Sequence, residues 1–190
     1  IFKILKIILL KKKYFIHYLY NKYTLHIFIL KLKCYNYKFN NTWNIWLHNI
    51  NNNNWNIESY EKFYKFTNFI EFWKLYNNFP KLNNNIFFLM KNNIKPIYED
   101  IHNKSGGFYS LKVHQDNGFY IWKNLSIDLI TLNLEKKHNI INGLSIIKKK
   151  NFFIIKIWIR NKKYNNIKNI NFNNSLYKKY IANIKFTNFL

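Results

Sequence analysis

The residues best placed to do chemistry lie in "KPIYEDIHNKSGGFYSL", Lys95 to Leu111, where Tyr98, Glu99 and Asp100 follow Pro96 and precede the pair Gly106-Gly107. Acids are scarce in this chain, 8 Asp and Glu against 31 Lys and Arg, so a carboxylate carries more information here than any lysine. Two adjacent carboxylates suggest an acid/base pair. Neighbours on a strand point to opposite faces, however, so Glu99 and Asp100 are not expected to act on one substrate atom. Tyr98, framed by Pro96 and the glycine pair, reads as a residue of a turn region at the rim of a sheet. Trp55 stands alone in the polar loop "NNNNWN", and a large aromatic there is either a local plug or a ligand platform.

Catalytic constellations do not appear. The sequence has no Gly-rich phosphate loop, no paired-Cys spacing, no helix with two histidines at metal spacing and no serine in a nucleophile elbow. The six histidines read as scattered through loops and the N-terminal segment. Binding is therefore the expected class, with no enzyme activity and no cofactor.

A net charge of +23 points to a polyanionic partner, nucleic acid or an acidic membrane surface. Part of that charge is discounted, because Asn, Lys, Ile, Phe and Tyr, all with AT-rich codons, are inflated together. Hydrophobic residues at 48% and aromatics at 21% are ample for a core, and 190 residues suit one domain. The single cysteine, Cys34, excludes an internal disulfide and fits a reducing compartment, here the cytoplasm. Residues 1–36 carry no acid, and their apolar runs, cut by lysines, fall short of the roughly 18–20 residues a membrane span needs. They read as a basic, apolar extension of uncertain status, and the only methionine being Met90, the start reads as incomplete.

The elements that must hold the candidate residues follow from periodicity. "TWNIWLHNI", "NIFFLMK" and "GFYSLKV" read as strands, and "GLSIIKK" and "FFIIKIWIR" as a hairpin meeting at "KKN". Phe69, Phe72, Trp73 and Tyr76 recur at helical spacing before Pro80. "DNGFYIWKNLSIDLITL" has a helical rhythm, and "NNSLYKKYIA" a cap and a last short helix before a strand in "NIKFTNF". Strands and helices do not alternate regularly, which predicts an α+β fold with an antiparallel sheet and helices on one face.

Over residues 37–190 the chain resembles the eukaryotic translation initiation factor 4E family, the mRNA cap-binding proteins. "TWNIW", the isolated Trp55, "EFWKLY", "KNNIKPIYEDIHNKSGGFYSL" and "IIKIWI" stand in the family's order and at nearly its spacing. The resemblance implies a curved sheet of about eight strands, backed on its convex face by about three helices, with the cap slot on the concave face. A 7-methylguanine base carries a delocalised positive charge that two aromatic faces can clamp by stacking and cation–π attraction. Trp55 and Tyr98 match the clamp, Glu99 the carboxylate that reads the base's edge, and Trp158 the tryptophan near the base's methyl group. Lys149 matches a basic position for the triphosphate. A second such position falls on Ile154, and strand alternation puts Ile154, Lys156, Trp158 and Arg160 on one face, so Lys156 is expected to serve there.

Phe69 and Trp73 match apolar anchors for a helix offered by scaffold factor 4G or by a repressor peptide. Several positions depart from the family's pattern. The second clamp residue is usually Trp and here is Tyr98, and the basic residue after the glycine pair is Phe108. A His-Pro pair becomes Tyr37-Lys38, and a Leu-Glu pair becomes Lys123-Asn124. The expectation is a monomer that binds capped mRNA and recruits the initiation machinery, with no membrane partner. Two rivals are a translational repressor of the same family and a general basic RNA-binding protein without cap selectivity.

Overall fold

A computed structural model describes residues 38–172, 175–181 and 184–189. The expectations for the segment 1–36 lie outside the described residues. The chain divides into two compact units, and the architecture below is that of the larger, Phe39–Thr67 with Glu71–Leu190.

Seven strands are found among the described residues: β1 (Lys38–Asn49), β2 (Tyr60–Asn68), β3 (Asn85–Lys91), β4 (Gly107–His114), β5 (Ile141–Lys148), β6 (Phe152–Ile159) and β7 (Lys185–Asn188). Three α-helices accompany them, α1 (Phe69–Asn77), α2 (Gly118–Ile130) and α3 (Ser175–Ile181). The strands form one curved sheet in the order β2-β1-β3-β5-β6-β4-β7. β1 with β3, β3 with β5, β5 with β6, β6 with β4 and β4 with β7 all pair antiparallel. The expected α+β class and its one-sided helical layer are found, with seven strands against the eight anticipated. β2 is the strand that sequence reading did not name, because "YEKFYKFTN" buries only Phe66 fully and shows little alternation.

Period-two alternation separates the two faces. On β4, Tyr109, Leu111 and Val113 are buried, while Phe108 and Ser110 are half-buried and Lys112 and His114 exposed. On β6, Phe153, Ile155 and Ile157 are buried and Phe152, Ile154 and Lys156 are half-buried. The odd-numbered set of these strands meets α2, whose Ile121, Trp122, Leu125 and Leu129 recur at helical spacing and are buried. α2 also anchors the other two helices: Tyr76 of α1 donates to Ser126 Oγ at 2.7 Å, and Tyr177 of α3 to Asp128 Oδ2 at 2.6 Å. Burial and then the Asp128 partner push the Tyr177 phenol upward.

The opposite face carries a smaller apolar cluster, Phe88, Met90, Ile94 and Trp158, with Trp46, Tyr60, Ile86 and Phe189 packed against it. It is the floor of the site. Two details hold its edges. A Cβ on Gly106 would lie 1.8 Å from the Ile159 carbonyl oxygen, so no side chain fits where the β3–β4 loop returns to the sheet. The buried Glu135 accepts from the backbone N–H groups of Asn139, Ile140 and Ile141 at 2.9–3.1 Å and faces Lys91 Nζ at 3.9 Å. Burial lowers the Lys91 pKa.

Candidate functional site

Trp55 is presented by a loop whose asparagines build it. Asn49, Asn52 and Asn54 each accept, through Oδ1, the backbone N–H two residues on at 2.9 Å. This is a chain of Asx turns, the conformation that short amide side chains favour over helix or strand. The indole is 51% exposed, and its support comes from β1: the buried His48 ring lies 4.2 Å away, tilted by 52°. His48 in turn stacks on Tyr60 at 4.7 Å with 19° between planes. Its Nδ1 lies 3.2 Å from the Ser59 carbonyl, which can only accept, so that nitrogen carries the proton. The expectation that the histidines are scattered through loops fails at His48, which lies within "TWNIWLHNI", the stretch also expected to be a strand, and ends the β1 face begun by Asn44 and Trp46.

Tyr98 and Glu99 belong to the irregular β3–β4 connection rather than to a strand. Asp100 beside them is a loop organiser: its carboxylate accepts from the N–H groups of Lys95 at 3.0 Å and His102 at 2.9 Å. Asn103, fully buried, donates to the carbonyls of Lys95 and Ile97 at 2.9 and 2.8 Å. With the backbone so tied, Tyr98 is 46% exposed and Glu99 is exposed beside it. The Tyr98 phenol is pushed up, first by a hydrogen bond to Glu99 and then by that carboxylate's charge. Across the opening, Tyr60 is pushed up to about 12, chiefly by burial and then by the Glu99 charge.

Trp158 forms the floor from β6. Its indole N–H donates to Ser145 Oγ at 3.0 Å, and its ring meets Phe88 edge-on at 5.9 Å and Phe189 at 4.9 Å. Lys156, on the same face, lies with Nζ 3.9 Å over the Phe108 ring. Its pKa is lowered, first by burial and then by the charge of Lys149.

These residues line one cavity of about 400 Å³. Trp55, Tyr98, Glu99, Trp158, Lys149 and Lys156, all expected from the sequence, are on its wall, and so are Tyr60, Phe108, Ser145 and Phe189. Tyr60, Ser145 and Phe189 carried no sequence signal of their own. Aromatic faces, one carboxylate and two ammonium groups share this wall, and the charge of Lys149 acts on Lys156. Such a wall can hold a flat cationic base and the anionic chain attached to it.

Arg160 does not stay on this face. β6 ends at Ile159, so the alternation that carried Lys156 and Trp158 inward stops there. Arg160 lines a separate cavity with His102, His138 and Lys163. Neither of the two expected anchor residues lines the slot. Trp73 on α1 is 40% exposed, meets Phe72 edge-on at 5.2 Å and has Lys123 Nζ at 5.9 Å over its ring. Phe69 is half-buried and falls in the smaller unit, whereas Phe72 and Tyr76 are buried as helix spacing requires. Among the described residues no helix is long and apolar enough to cross a membrane.

The model of the family described as eukaryotic initiation factor 4E matches residues 38–188. Among solved structures, C. elegans eIF4E-3, in complex with the 4E-binding protein Mextli and a cap analog, aligns with TM-score 0.68 and 18% identity over 80% of this chain and 91% of that one. Ascaris suum eIF4E-3 with a 7-methylguanosine cap aligns with TM-score 0.68 and 18% identity over 81% of this chain and 92% of the other. At that identity the likeness is one of fold.

Proposed function

The chain belongs to the eukaryotic initiation factor 4E family, and from that premise we propose that it binds the 7-methylguanosine cap of mRNA in the slot between Trp55 and Tyr98 and recruits the translation initiation machinery. The observation that carries this is the meeting, on the wall of one cavity, of two aromatics from separate loops, one carboxylate beside the second aromatic, and two lysines.

The division of labour follows from chemistry. A 7-methylated guanine is cationic, so Trp55 and Tyr98 attract it through their π faces as well as by stacking. Glu99 accepts from the ring N–H and the exocyclic amino group together, a charge-assisted pair that favours the cationic base over unmethylated guanine. Trp158 closes the floor beside the base. Lys149 and Lys156 hold the triphosphate. The loss of a basic residue at Phe108 is offset by Lys156, whose ammonium sits above the Phe108 ring.

The protein acts by binding, as a cytoplasmic monomer whose cap-binding domain is residues 37–190. Trp73 on the helix side is the anchor for a helical segment of scaffold factor 4G or of a repressor. Retention on immobilised 7-methyl-GTP, released by 7-methyl-GTP and not by GTP, tests the cap reading. Equal release by GTP sinks it and leaves general RNA binding. A pull-down with a scaffold-type helical peptide then separates initiation from repression.

A further inference from the structure

The basic surface does not stop at the slot. Antiparallel register pairs Ser110 with Lys156, Lys112 with Ile154, and His114 with Phe152. Ile154 and Lys156 line the slot. Lys112 is therefore the next side chain on that face beside Ile154, and Phe152 and His114 follow one pleat further on. Each such step of two residues is roughly 6–7 Å, comparable to the phosphate spacing of an extended single strand. Lys112, His114 and Phe152, together with Lys150 and Asn151 of the β5–β6 turn, line a second cavity of about 500 Å³. That turn is closed by the Lys149 N–H donating to the Phe152 carbonyl at 2.8 Å, so Lys149 of the slot and Lys150 of the second cavity are adjacent on one tight turn.

The chemistry of this second cavity is one aromatic face with cations beside it. Lys112 Nζ lies 4.2 Å over the half-buried Phe152 ring, so a base that stacks there takes the place of this ammonium, which then turns to a phosphate. Asp116 lies 3.1 Å from His114 Nδ1, whereas neither Lys112 nor Lys150 is in an ion pair among the described residues. An aromatic platform flanked by unpaired lysines suits single-stranded nucleic acid, whose bases stack regardless of sequence and whose phosphates need cations. An acidic peptide would use the lysines and leave the ring idle.

We propose that this surface, from Lys156 across Lys112 to Phe152 and Lys150, is the track for the first nucleotides after the cap. Lys112 and Lys150 contact backbone phosphates, and Phe152 stacks a base. The inference rests on the cap reading, which sets where the RNA chain begins.

The test is equilibrium binding of three fluorescent probes to the full chain and to its Lys112→Ala/Lys150→Ala variant. The probes are a cap dinucleotide, a capped octanucleotide and an uncapped octanucleotide, each over a range of salt. The capped octanucleotide should bind wild type about 5- to 10-fold tighter than the dinucleotide at low salt, with a salt slope steeper by about 0.7 per contacted phosphate. The variant should lose that gain and bind the dinucleotide to within about 2-fold of wild type, since neither lysine touches the slot. A Phe152→Leu variant, which keeps the apolar volume, should lose part of the gain without changing the salt slope. Equal affinity of wild type for dinucleotide and capped octanucleotide overturns the track, and so does a gain that survives in the double variant. Displacement of the octanucleotide by oligoglutamate as readily as by RNA overturns it in favour of an acidic peptide. Loss of preference for the methylated cap in wild type overturns the cap reading instead, and the uncapped octanucleotide still decides the track by whether the double variant weakens it.

Discussion

The side-chain amide of Asn142 on β5 donates to Asn103 Oδ1 at 2.9 Å and to the His102 carbonyl at 2.7 Å. Asn103 spends its own donors on the carbonyls of Lys95 and Ile97. A core strand is thereby tied through two amides to the backbone on both sides of Tyr98 and Glu99. The rim of the slot takes its shape from the sheet, although it lies in no regular element.

Asn103→Ala is expected to leave two carbonyls and the Asn142 donor unsatisfied, at a cost of about 1–3 kcal/mol for burying unpaired polar groups. Chemical denaturation measures that loss. Cap affinity should fall as well, and an Asn103→Asp variant, which cannot donate, should behave like Ala rather than like wild type.

Glu99→Gln removes the charge and keeps the shape. Loss of a charge-assisted bond predicts roughly 10- to 100-fold weaker binding of 7-methyl-GTP, with Lys137→Ala unchanged. Because the Glu99 charge helps hold Tyr60 up near 12, the variant should also lower the Tyr60 pKa, which ultraviolet titration can read without any ligand. Unchanged retention by the Glu99 variant would mean that the base's edge is read elsewhere.

Tyr98→Trp enlarges the clamp face. Trp is the best cation–π partner, and a gain of about 0.5–1 kcal/mol corresponds to roughly 2- to 5-fold tighter binding of 7-methyl-GTP. GTP, which lacks the fixed positive charge, should gain less, so selectivity measured by calorimetry should rise with affinity.

Lys156→Met should separate stability from binding. Burial and Lys149 already disfavour the Lys156 charge, so removing it should raise the melting temperature of the free protein by a few degrees and weaken the triphosphate several-fold. In wild type, raising the pH should discharge Lys156 before an ordinary lysine at 10.5 and weaken 7-methyl-GTP binding early. A fall in both stability and affinity for Lys156→Met would contradict this account.

Tyr60 and Tyr109 are raised by burial from 10.0 to about 12. Above pH 10 the unfolded chain releases these protons while the folded one keeps them. Their contribution is thus complete below pH 10 and is lost as the pH climbs through 12. Tyr76 and Tyr177 are raised in the same direction. Denaturant midpoints measured from pH 9 upward should fall beyond pH 10, and tyrosine absorbance should show these phenols ionising with unfolding.

Most elements were legible because their patterns are local. "NIFFLMK" is β3, the hairpin meets at its lysine turn, and α2 shows its stripe of buried residues. Trp55, Tyr98 and Glu99 were legible, since an isolated aromatic and a rare acid stand out against a background of Lys and Asn, whereas Trp158 and Lys149 were named only through the family resemblance and Lys156 through strand alternation beside it. β2 was missed because a strand with one fully buried side chain has little alternation to read. Arg160 was misplaced because alternation holds only while the strand continues.

The sequence by itself determined which groups could recognise a cationic base and an anionic chain, because stacking, charge and donor pattern belong to residue type. Which of them meet was decided by tertiary structure. His48 supports Trp55 from one strand, and Phe189 packs on Trp158 from the far end of the chain. Lys156 leans over Phe108 from across a strand pair. Those contacts depend on register and loop return, which are set by packing between residues distant in sequence.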